Sequence, residues 1–260
     1  MKISKTHEAF IKIKDALNKN KYKDYTVTDD LQVLKIALDF NLEIDTLLYS
    51  YEKEYHIDTL KLLEDLKAKA LNCYEISNSS YDSISLKENH AGIVALIKLK
   101  DYTFEDFKNK EFLIVLDRLE IPGNIGTIYR TLDSVKADGV ILVDPVSKIN
   151  NPKITSSSRG CNLIIPTISS DFESTLKYLL DNNYDIFLGE PILGKPYNEY
   201  DYKGKIAIVV GNERFGINQK WYDNKSKNVY IPMEGNQNSL NVSIAASILA
   251  YEAYMKRKGQ

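Results

Sequence analysis

The hydrophobic residues of the first hundred positions recur at two spacings, which predict alternating helices and strands. The two leucine stripes at helical spacing are Leu31, Leu34 and Leu38, then Leu60, Leu63 and Leu66. Thr28 or Asp29 precedes the first stripe and can cap its helix. The short apolar runs that predict strands are IDTLLYS, CYEIS and GIVALIKL. We therefore predict a small α/β domain over residues 1–99.

Two polar segments of this region carry weaker patterns. Residues 1–26 are rich in lysine and only weakly periodic, which predicts a solvated helix or, alternatively, an arm that faces RNA. Residues 100–110, KDYTFEDFKNK, have no sustained pattern, and we predict a linker there.

From residue 111 onward the alternation of strands and helices is stronger. The predicted strands are EFLIVLD, GVILVD, NLIIPT, YDIFLGEP, KIAIVVGNE and NVYIPM. The predicted helices are IYRTLDSVKA, DFESTLKYLLDN, a short one near residues 218–223 and a final one that ends the chain. Strands that are apolar throughout predict a parallel sheet with both faces covered. We therefore predict a second α/β domain over residues 111–260.

Ligands of parallel sheets bind beyond the carboxyl ends of the strands, so the residues just after each strand carry the chemistry. Glycines follow three of them, at Gly189, Gly211 and Gly235, and glycine lets a ligand approach the backbone closely. A phosphate-binding GKS or GKT sequence is missing, because Ile217 follows Gly216. The full GxGxxG spacing of a dinucleotide site is also missing. These strand ends favour an adenine-like ring in a mostly uncharged ligand.

Composition narrows the possible classes. Hydrophobic residues make up 43% of the chain and charged residues 27%, as in ordinary globular proteins. Neither a bilayer-spanning run nor the core of a signal peptide is present. Two cysteines without partner spacing predict a reducing cytoplasm, and three scattered histidines suggest neither a zinc site nor a Ser-His-Asp triad. With a net charge of −2, any nucleic-acid footprint must be local.

Arginine is scarce, and its positions are informative. The five arginines are Arg118, Arg130, Arg159, Arg214 and Arg257, whereas lysine is abundant throughout. In a lysine-biased chain, arginine is expected where a planar and permanently charged fork is needed, as for phosphate. Four of the five lie in or beside turn-rich segments.

The segment from Ile231 to Tyr254 combines an amide-rich loop with a helix whose first positions are small. The simplest interpretation is a strand–loop–helix connection in which Ser239 caps the helix. The small residues are Ser243, Ala245, Ala246 and Ser247.

Three segments of the second domain together resemble the motifs of a known family. IPGNIGTIYRT (121–131), VVGNERFGI (209–217) and IPMEGNQNSLNVSIAAS (231–247) are similar in order and spacing to the motifs of the TrmH (SpoU) family of SPOUT methyltransferases. The resemblance implies an α/β trefoil-knot domain that transfers a methyl group from S-adenosylmethionine to a ribose 2′-hydroxyl of RNA. More weakly, residues 27–99 resemble the small RNA-binding domain that precedes it in many members.

The same resemblance implies roles for individual residues. As catalytic residues it implies Arg130, Asn124, Glu213, Ser239 and Asn241. Around the cofactor it implies Leu188, Gly189, Gly211, Asn212, Ile231, Met233, Ser239 and Leu240. Arg130 and Arg159 would contact RNA, and no metal is needed because the sulfonium already activates the methyl group. Arg130 would stabilise the developing alkoxide, with a phosphate oxygen or a transiently neutral guanidine taking the proton.

Substrate and assembly follow from the resemblance as well. The two-domain length most resembles the subgroup that methylates 23S ribosomal RNA, which includes the thiopeptide-resistance enzymes, and transfer RNA is the main competing substrate. A homodimer is implied, in which arginines of one chain serve the partner's site. Two further hypotheses are a non-catalytic RNA-binding or ribosome-assembly factor on the same scaffold, and a nicotinamide-dependent enzyme, which the missing GxGxxG disfavours.

Overall fold

The computed structural model describes residues 1–18, 21–86 and 90–259. The chain divides into two compact units, Met1–Lys100 with Ile149–Ile164 and Asp101–Lys148 with Ile165–Gln260. Residues 149–164, which the sequence pattern assigns to the second domain, thus group with the first unit.

The first unit is built around a four-stranded mixed sheet. Its elements are α1 (Glu8–Asn18), β1 (Tyr25–Thr28), α2 (Leu31–Asp39), β2 (Ile44–Ser50), α3 (Ile57–Lys69), β3 (Asn72–Ile76), α4 (Asn78–Asp82) and β4 (Ile93–Lys98). The strand order is β1-β4-β2-β3, with β4 antiparallel to both neighbours and β2 parallel to β3.

The second half of the chain contributes most of its elements to the second unit. They are β5 (Phe112–Asp117), α5 (Pro122–Ser134), β6 (Gly139–Val143), α6 (Pro152–Ser157), α7 (Cys161–Ile164), β7 (Thr167–Ser170), α8 (Phe172–Asp181), β8 (Asp185–Glu190), β9 (Lys195–Pro196), β10 (Ile206–Gly211), β11 (Ser226–Tyr230) and α9 (Val242–Lys258). Of these, α6 and α7 belong to the first unit.

The second unit contains a seven-stranded sheet in which all the paired strands are parallel. Its order is β7-β6-β5-β10-β8-β11-β9. Every residue of β5 and β6 is buried, as expected for strands covered on both faces. The predicted fold class is therefore confirmed: a parallel α/β domain preceded by a small α/β unit. The trefoil knot stays an implication of the resemblance.

Several local predictions for the first unit are wrong. The cap of α2 is Asp30, whose carboxylate accepts from the backbone N–H of Gln32 at 2.9 Å. On α3, Leu63 and Leu66 are buried but Leu60 is 45% exposed. The lysine-rich N-terminal segment, predicted as a solvated helix, contains the amphipathic α1, which buries Phe10 and Ile13. Within that segment, residues 19–20 lie outside the described residues.

The second half of the chain also departs from prediction in two places. NLIIPT, predicted as a strand, instead ends α7 and enters β7. The predicted linker contains a 3₁₀ helix, Phe104–Phe107, whose last side chain is fully buried in the main core of the second unit. The segment has no helical or strand periodicity. Its aromatic residues were the signal in the sequence that it packs against a core.

Among the described residues, no helix is both long and apolar enough to cross a bilayer.

We predict that Phe107→Ala destabilises the second unit by about 3–5 kcal/mol, because it empties a packed core position. Trp221, the only tryptophan, lies in the same core. Urea unfolding followed by its fluorescence measures the change as a lower midpoint. As a control, Phe215→Ala removes a side chain that is 74% exposed and changes stability by less than about 0.5 kcal/mol. An unchanged midpoint for Phe107→Ala would contradict the packing of this segment.

Candidate functional site

The carboxyl ends of four adjacent strands, β5, β10, β8 and β11, lie at one edge of the large sheet. Beyond them is a cavity of roughly 640 Å³, within the usual range for small-molecule sites. The predicted site residues that line it are Asn124, Gly189, Gly211, Asn212, Glu213, Ile231, Met233, Ser239, Leu240 and Asn241. The structure thus brings together residues of all three sequence motifs.

Gly211 is required by a close approach of backbone to backbone. A Cβ atom at this position would lie 2.3 Å from the carbonyl carbon of Gly216 and 2.3 Å from the nitrogen of Ile217. The loop after β10 folds back onto the end of its own strand, and only glycine leaves space for it.

Asn212 fixes the shape of that loop. Its side chain is buried, and Oδ1 accepts from the backbone N–H groups of Arg214 and Phe215 at 2.9 and 3.1 Å. Its Nδ2 donates to the carbonyl of Arg118 at 2.8 Å and to Oε1 of Glu120 at 3.1 Å. The loop after β10 is therefore tied to the segment between β5 and α5.

Glu213 continues this connection to the start of α5. Its carboxylate accepts from the backbone N–H groups of Glu120 and Ile121 at 3.2 and 3.3 Å. It also accepts from Nδ2 of Asn124 at 2.9 Å. Glu213 thus holds the two residues that precede α5 and, through the Asn124 side chain, the first turn of the helix, where a negative charge is favourable.

Asn241 links the third motif to the first. Its Nδ2 donates to Oδ1 of Asn124 at 3.2 Å, and its own Oδ1 accepts from the N–H of Ser243 at 2.9 Å. Asn241 therefore caps α9, and the predicted cap at Ser239 is wrong. Ser239 is exposed and lines the cavity instead.

The start of α5 also differs from the prediction. The sequence pattern predicts a glycine-rich turn before a helix at Ile128, but α5 begins at Pro122 and includes GNIG. Asn124 consequently lies in the first helical turn, where its side chain can contact the loops beyond β10 and β11.

Asp117, the last residue of β5, holds the end of the loop that follows β10. Its side chain is fully buried and accepts from the N–H of Asn218 at 2.6 Å and from Nε of Arg118 at 3.2 Å. Burial raises the pKa of this carboxyl, and the two donors oppose the rise. Asp117 anchors the far end of the loop that Asn212 begins.

The small residues of α9 allow it to lie against α5. Ser243, Ala246 and Ala250 are buried on α9, and the hydroxyls of Thr131 and Ser247 are 2.7 Å apart between the two helices. The predicted small-residue face is thus a packing surface that holds the first and third motifs together.

Three predicted site residues do not line the cavity. Leu188 is fully buried in the core of the second unit. Arg130 is exposed on α5, and in the part of the chain described, its guanidinium has no hydrogen bond or ion pair. Arg159 belongs to the first unit, where it donates to Oε1 of Gln32 at 2.7 Å.

Sequence reasoning missed four polar residues of the cavity lining, Glu190, Arg214, Gln219 and Tyr222. Glu190 follows Gly189 at the end of β8, so its place at a strand end was a usable signal. Arg214 lies within VVGNERFGI (209–217), one of the three segments that resemble the family motifs. Tyr222 follows a 3₁₀ turn, Gln219–Trp221, and nothing in its local sequence indicates a site.

The lining combines an apolar wall with polar groups. The apolar residues include Val210, Val229, Ile231, Leu240 and Leu249. Carboxylates, amides, the hydroxyl residues Ser239 and Tyr222, and Arg214 provide the polar part of the lining. This mixture can hold a flat heterocycle against aliphatic side chains and bind its polar substituents. Among described residues, no cluster of three or more His, Cys, Asp or Glu could hold a metal ion.

Comparison with known proteins agrees with this geometry. The model of the SpoU rRNA Methylase family matches residues 111–251. A 23S rRNA (guanosine(2553)-2′-O)-methyltransferase, RlmP of Bacillus subtilis, is 28% identical over 194 residues, which cover 75% of this chain and 77% of that protein. A Staphylococcus aureus protein named as a TrmH family tRNA/rRNA methyltransferase is 32% identical over 206 residues, covering 76% and 83%.

A solved structure supports the fold. The SpoU methyltransferase AviRb of Streptomyces viridochromogenes, in complex with the cofactor AdoMet, superposes with a TM-score of 0.87 at 22% identity, covering 97% of this chain and 98% of that one. The family predicted from the three motifs is confirmed. Because the family model spans more than half of the chain, including every motif, this protein belongs to the SpoU rRNA methylase family.

Proposed function

We propose that this protein transfers the methyl group of S-adenosylmethionine to a ribose 2′-hydroxyl of 23S ribosomal RNA, in the cytoplasm. The observation that carries the proposal is the hydrogen-bonded series Glu213–Asn124–Asn241. It joins all three family motifs at one cavity. A protein that used this scaffold only to bind RNA would have no need of an assembled small-molecule site.

The cavity suits the cofactor by its chemistry. Its aliphatic wall offers a surface for the adenine, and its carboxylates and amides can bind the ribose and the amino-acid portion. When bound, S-adenosylmethionine supplies a methyl group already activated by the sulfonium. The residues of the chain therefore have to orient the RNA hydroxyl and assist the departure of its proton.

Arg130 is the residue we assign to that task. An arginine without a partner in the described structure can bind a phosphate oxygen and the ribose oxygen with separate N–H groups. Its permanent charge stabilises the alkoxide that develops as the proton leaves. The proton acceptor is a phosphate oxygen or a transiently neutral guanidine.

Arg130 lies outside the cavity of its own chain, which supports a dimeric site. On α9, Ile244, Tyr251 and Met255 are 49%, 47% and 61% exposed and follow one another along one face. An exposed apolar stripe of this kind suits a second copy of the chain. We propose a homodimer in which Arg130 of one chain serves the site of its partner.

For the RNA, we propose ribosomal rather than transfer RNA. The B. subtilis relative is named for 23S rRNA and matches three quarters of each chain. In the first unit, Nζ of Lys2 lies 3.9 Å from the ring centre of Tyr51. Lysines and aromatic rings together can follow a phosphate backbone and stack on bases.

A methyl-transfer assay tests the proposal. With tritiated S-adenosylmethionine, we expect label in 23S rRNA fragments, recovered after digestion as a 2′-O-methylated nucleotide, and little label in bulk tRNA. Label found only in tRNA would contradict the proposed rRNA substrate but would leave the proposed 2′-O-methyl transfer intact. Calorimetry that shows no binding of S-adenosylmethionine would favour a non-catalytic RNA-binding factor.

Arg130→Lys is expected to reduce kcat at least about 100-fold, because a lysine cannot bind two oxygens as a planar fork. Affinity for S-adenosylmethionine, measured by calorimetry, should stay within about threefold. Lys177→Arg, on the exposed surface of α8, is the matched control and retains full turnover. If Arg130→Lys turned over as fast as the unmodified protein, Arg130 would have no catalytic role.

Light scattering at micromolar concentration should show twice the mass of one chain. Tyr251→Glu combined with Met255→Glu places charge on the exposed stripe, and we expect a monomer with much lower methyl transfer. Lys177→Glu adds the same type of charge on α8 and leaves the dimer intact. A stable monomer for the unmodified protein would contradict the proposed assembly.

A further inference from the structure

Glu190 is an acidic residue of the cavity that the hydrogen-bonded series between the motifs does not use. It ends β8, its side chain is partly buried, and it lines the cavity. The hydroxyl of Tyr222 donates to its Oε1. Its other oxygen, Oε2, has no hydrogen-bond partner within residues 1–18, 21–86 and 90–259.

The environment of this carboxylate lacks a neutralising cation. Burial raises the pKa of Glu190, and the hydrogen bond from Tyr222 lowers it; no lysine or arginine contributes among the described residues. Partial loss of hydration is costly for a carboxylate that has no cationic partner. A bound molecule with hydrogen-bond donors would offset that cost.

The position of Glu190 suggests which donors these are. The residue before it, Gly189, pairs with Val229 of β11, and a Cβ at Gly189 would lie 3.0 Å from Cδ1 of Leu249. Both Val229 and Leu249 belong to the apolar wall that suits the adenine. The group attached to the adenine is the ribose, whose two neighbouring hydroxyls match the acceptors of a carboxylate.

We propose that Glu190 accepts hydrogen bonds from the ribose hydroxyls of the cofactor and so selects a ribonucleoside at this site. Tyr222 is the positioning residue that holds the carboxylate in place. Acidic residues play the same part toward ribose in dinucleotide-binding folds. This inference rests on the proposed function, because it assumes that the cavity holds S-adenosylmethionine or its product.

Calorimetry with S-adenosylhomocysteine and its 2′-deoxy and 3′-deoxy analogues tests the proposal without catalysis. We expect Glu190→Gln to weaken binding of S-adenosylhomocysteine about 10- to 100-fold, the range for a hydrogen bond to a charged group. The unmodified protein should bind at least one deoxy analogue more weakly by a similar factor. Glu190→Gln should bind the parent compound and that analogue nearly equally.

Two further variants separate the orientation of the Glu190 carboxylate from general effects of substitution on binding. Tyr222→Phe keeps the carboxylate but loses its donor, and we expect a loss of only a few-fold. Glu173→Gln alters an exposed glutamate that is bonded to Lys220 outside the cavity, and affinity should not change. If Glu190→Gln does not fold, as judged by Trp221 fluorescence, the deoxy analogues on the unmodified protein still test the contact.

The possible failures are distinguishable. Unchanged affinity in Glu190→Gln, or equal binding of the parent compound and both deoxy analogues by the unmodified protein, would overturn the ribose contact. Weaker binding of S-adenosylmethionine but not of S-adenosylhomocysteine would instead assign Glu190 to the positive sulfonium. No binding of either compound by the unmodified protein would overturn the proposed function itself.

Discussion

The candidate site depends on one carboxylate, that of Glu213, placed at the start of α5. Its oxygens accept from the backbone N–H groups of Glu120 and Ile121, the two residues that precede the helix. Because Asn124 bonds to both Glu213 and Asn241, the same contact fixes the loop that precedes α9. Three segments distant in sequence thereby become one surface that lines the cavity.

The two units differ in how they provide function. In the second unit, a parallel sheet with buried strands holds its loops at one edge, which gives the site a rigid support. Four of the five arginines belong to this unit. The first unit has a mixed sheet and contains lysine–tyrosine pairs. Arginine, whose planar fork suits directed contacts, is concentrated in the second unit, whereas lysine occurs in both.

The strands of the large sheet could be predicted because each buried strand is apolar throughout, and the strands alternate with helices. The start of α5 could not, because Pro122 and Gly123 usually indicate a turn. Proline is tolerated there since the first helical N–H needs no intrahelical partner. Packing of the polar segment before β5 was missed for a related reason: one buried side chain, Phe107, leaves no periodic pattern.

The amino-acid sequence was enough to predict the family, the parallel sheet and ten of the residues that line the cavity, because motif order and strand ends are local properties of the chain. The three-dimensional arrangement of the chain decided that Asn241 bonds to Asn124 and that Arg130 lies outside its own cavity. It also decided that Glu190 meets Tyr222. The contacts of Asn241 and Glu190 join residues far apart in the chain, and their geometry depends on how the sheet brings its loops together.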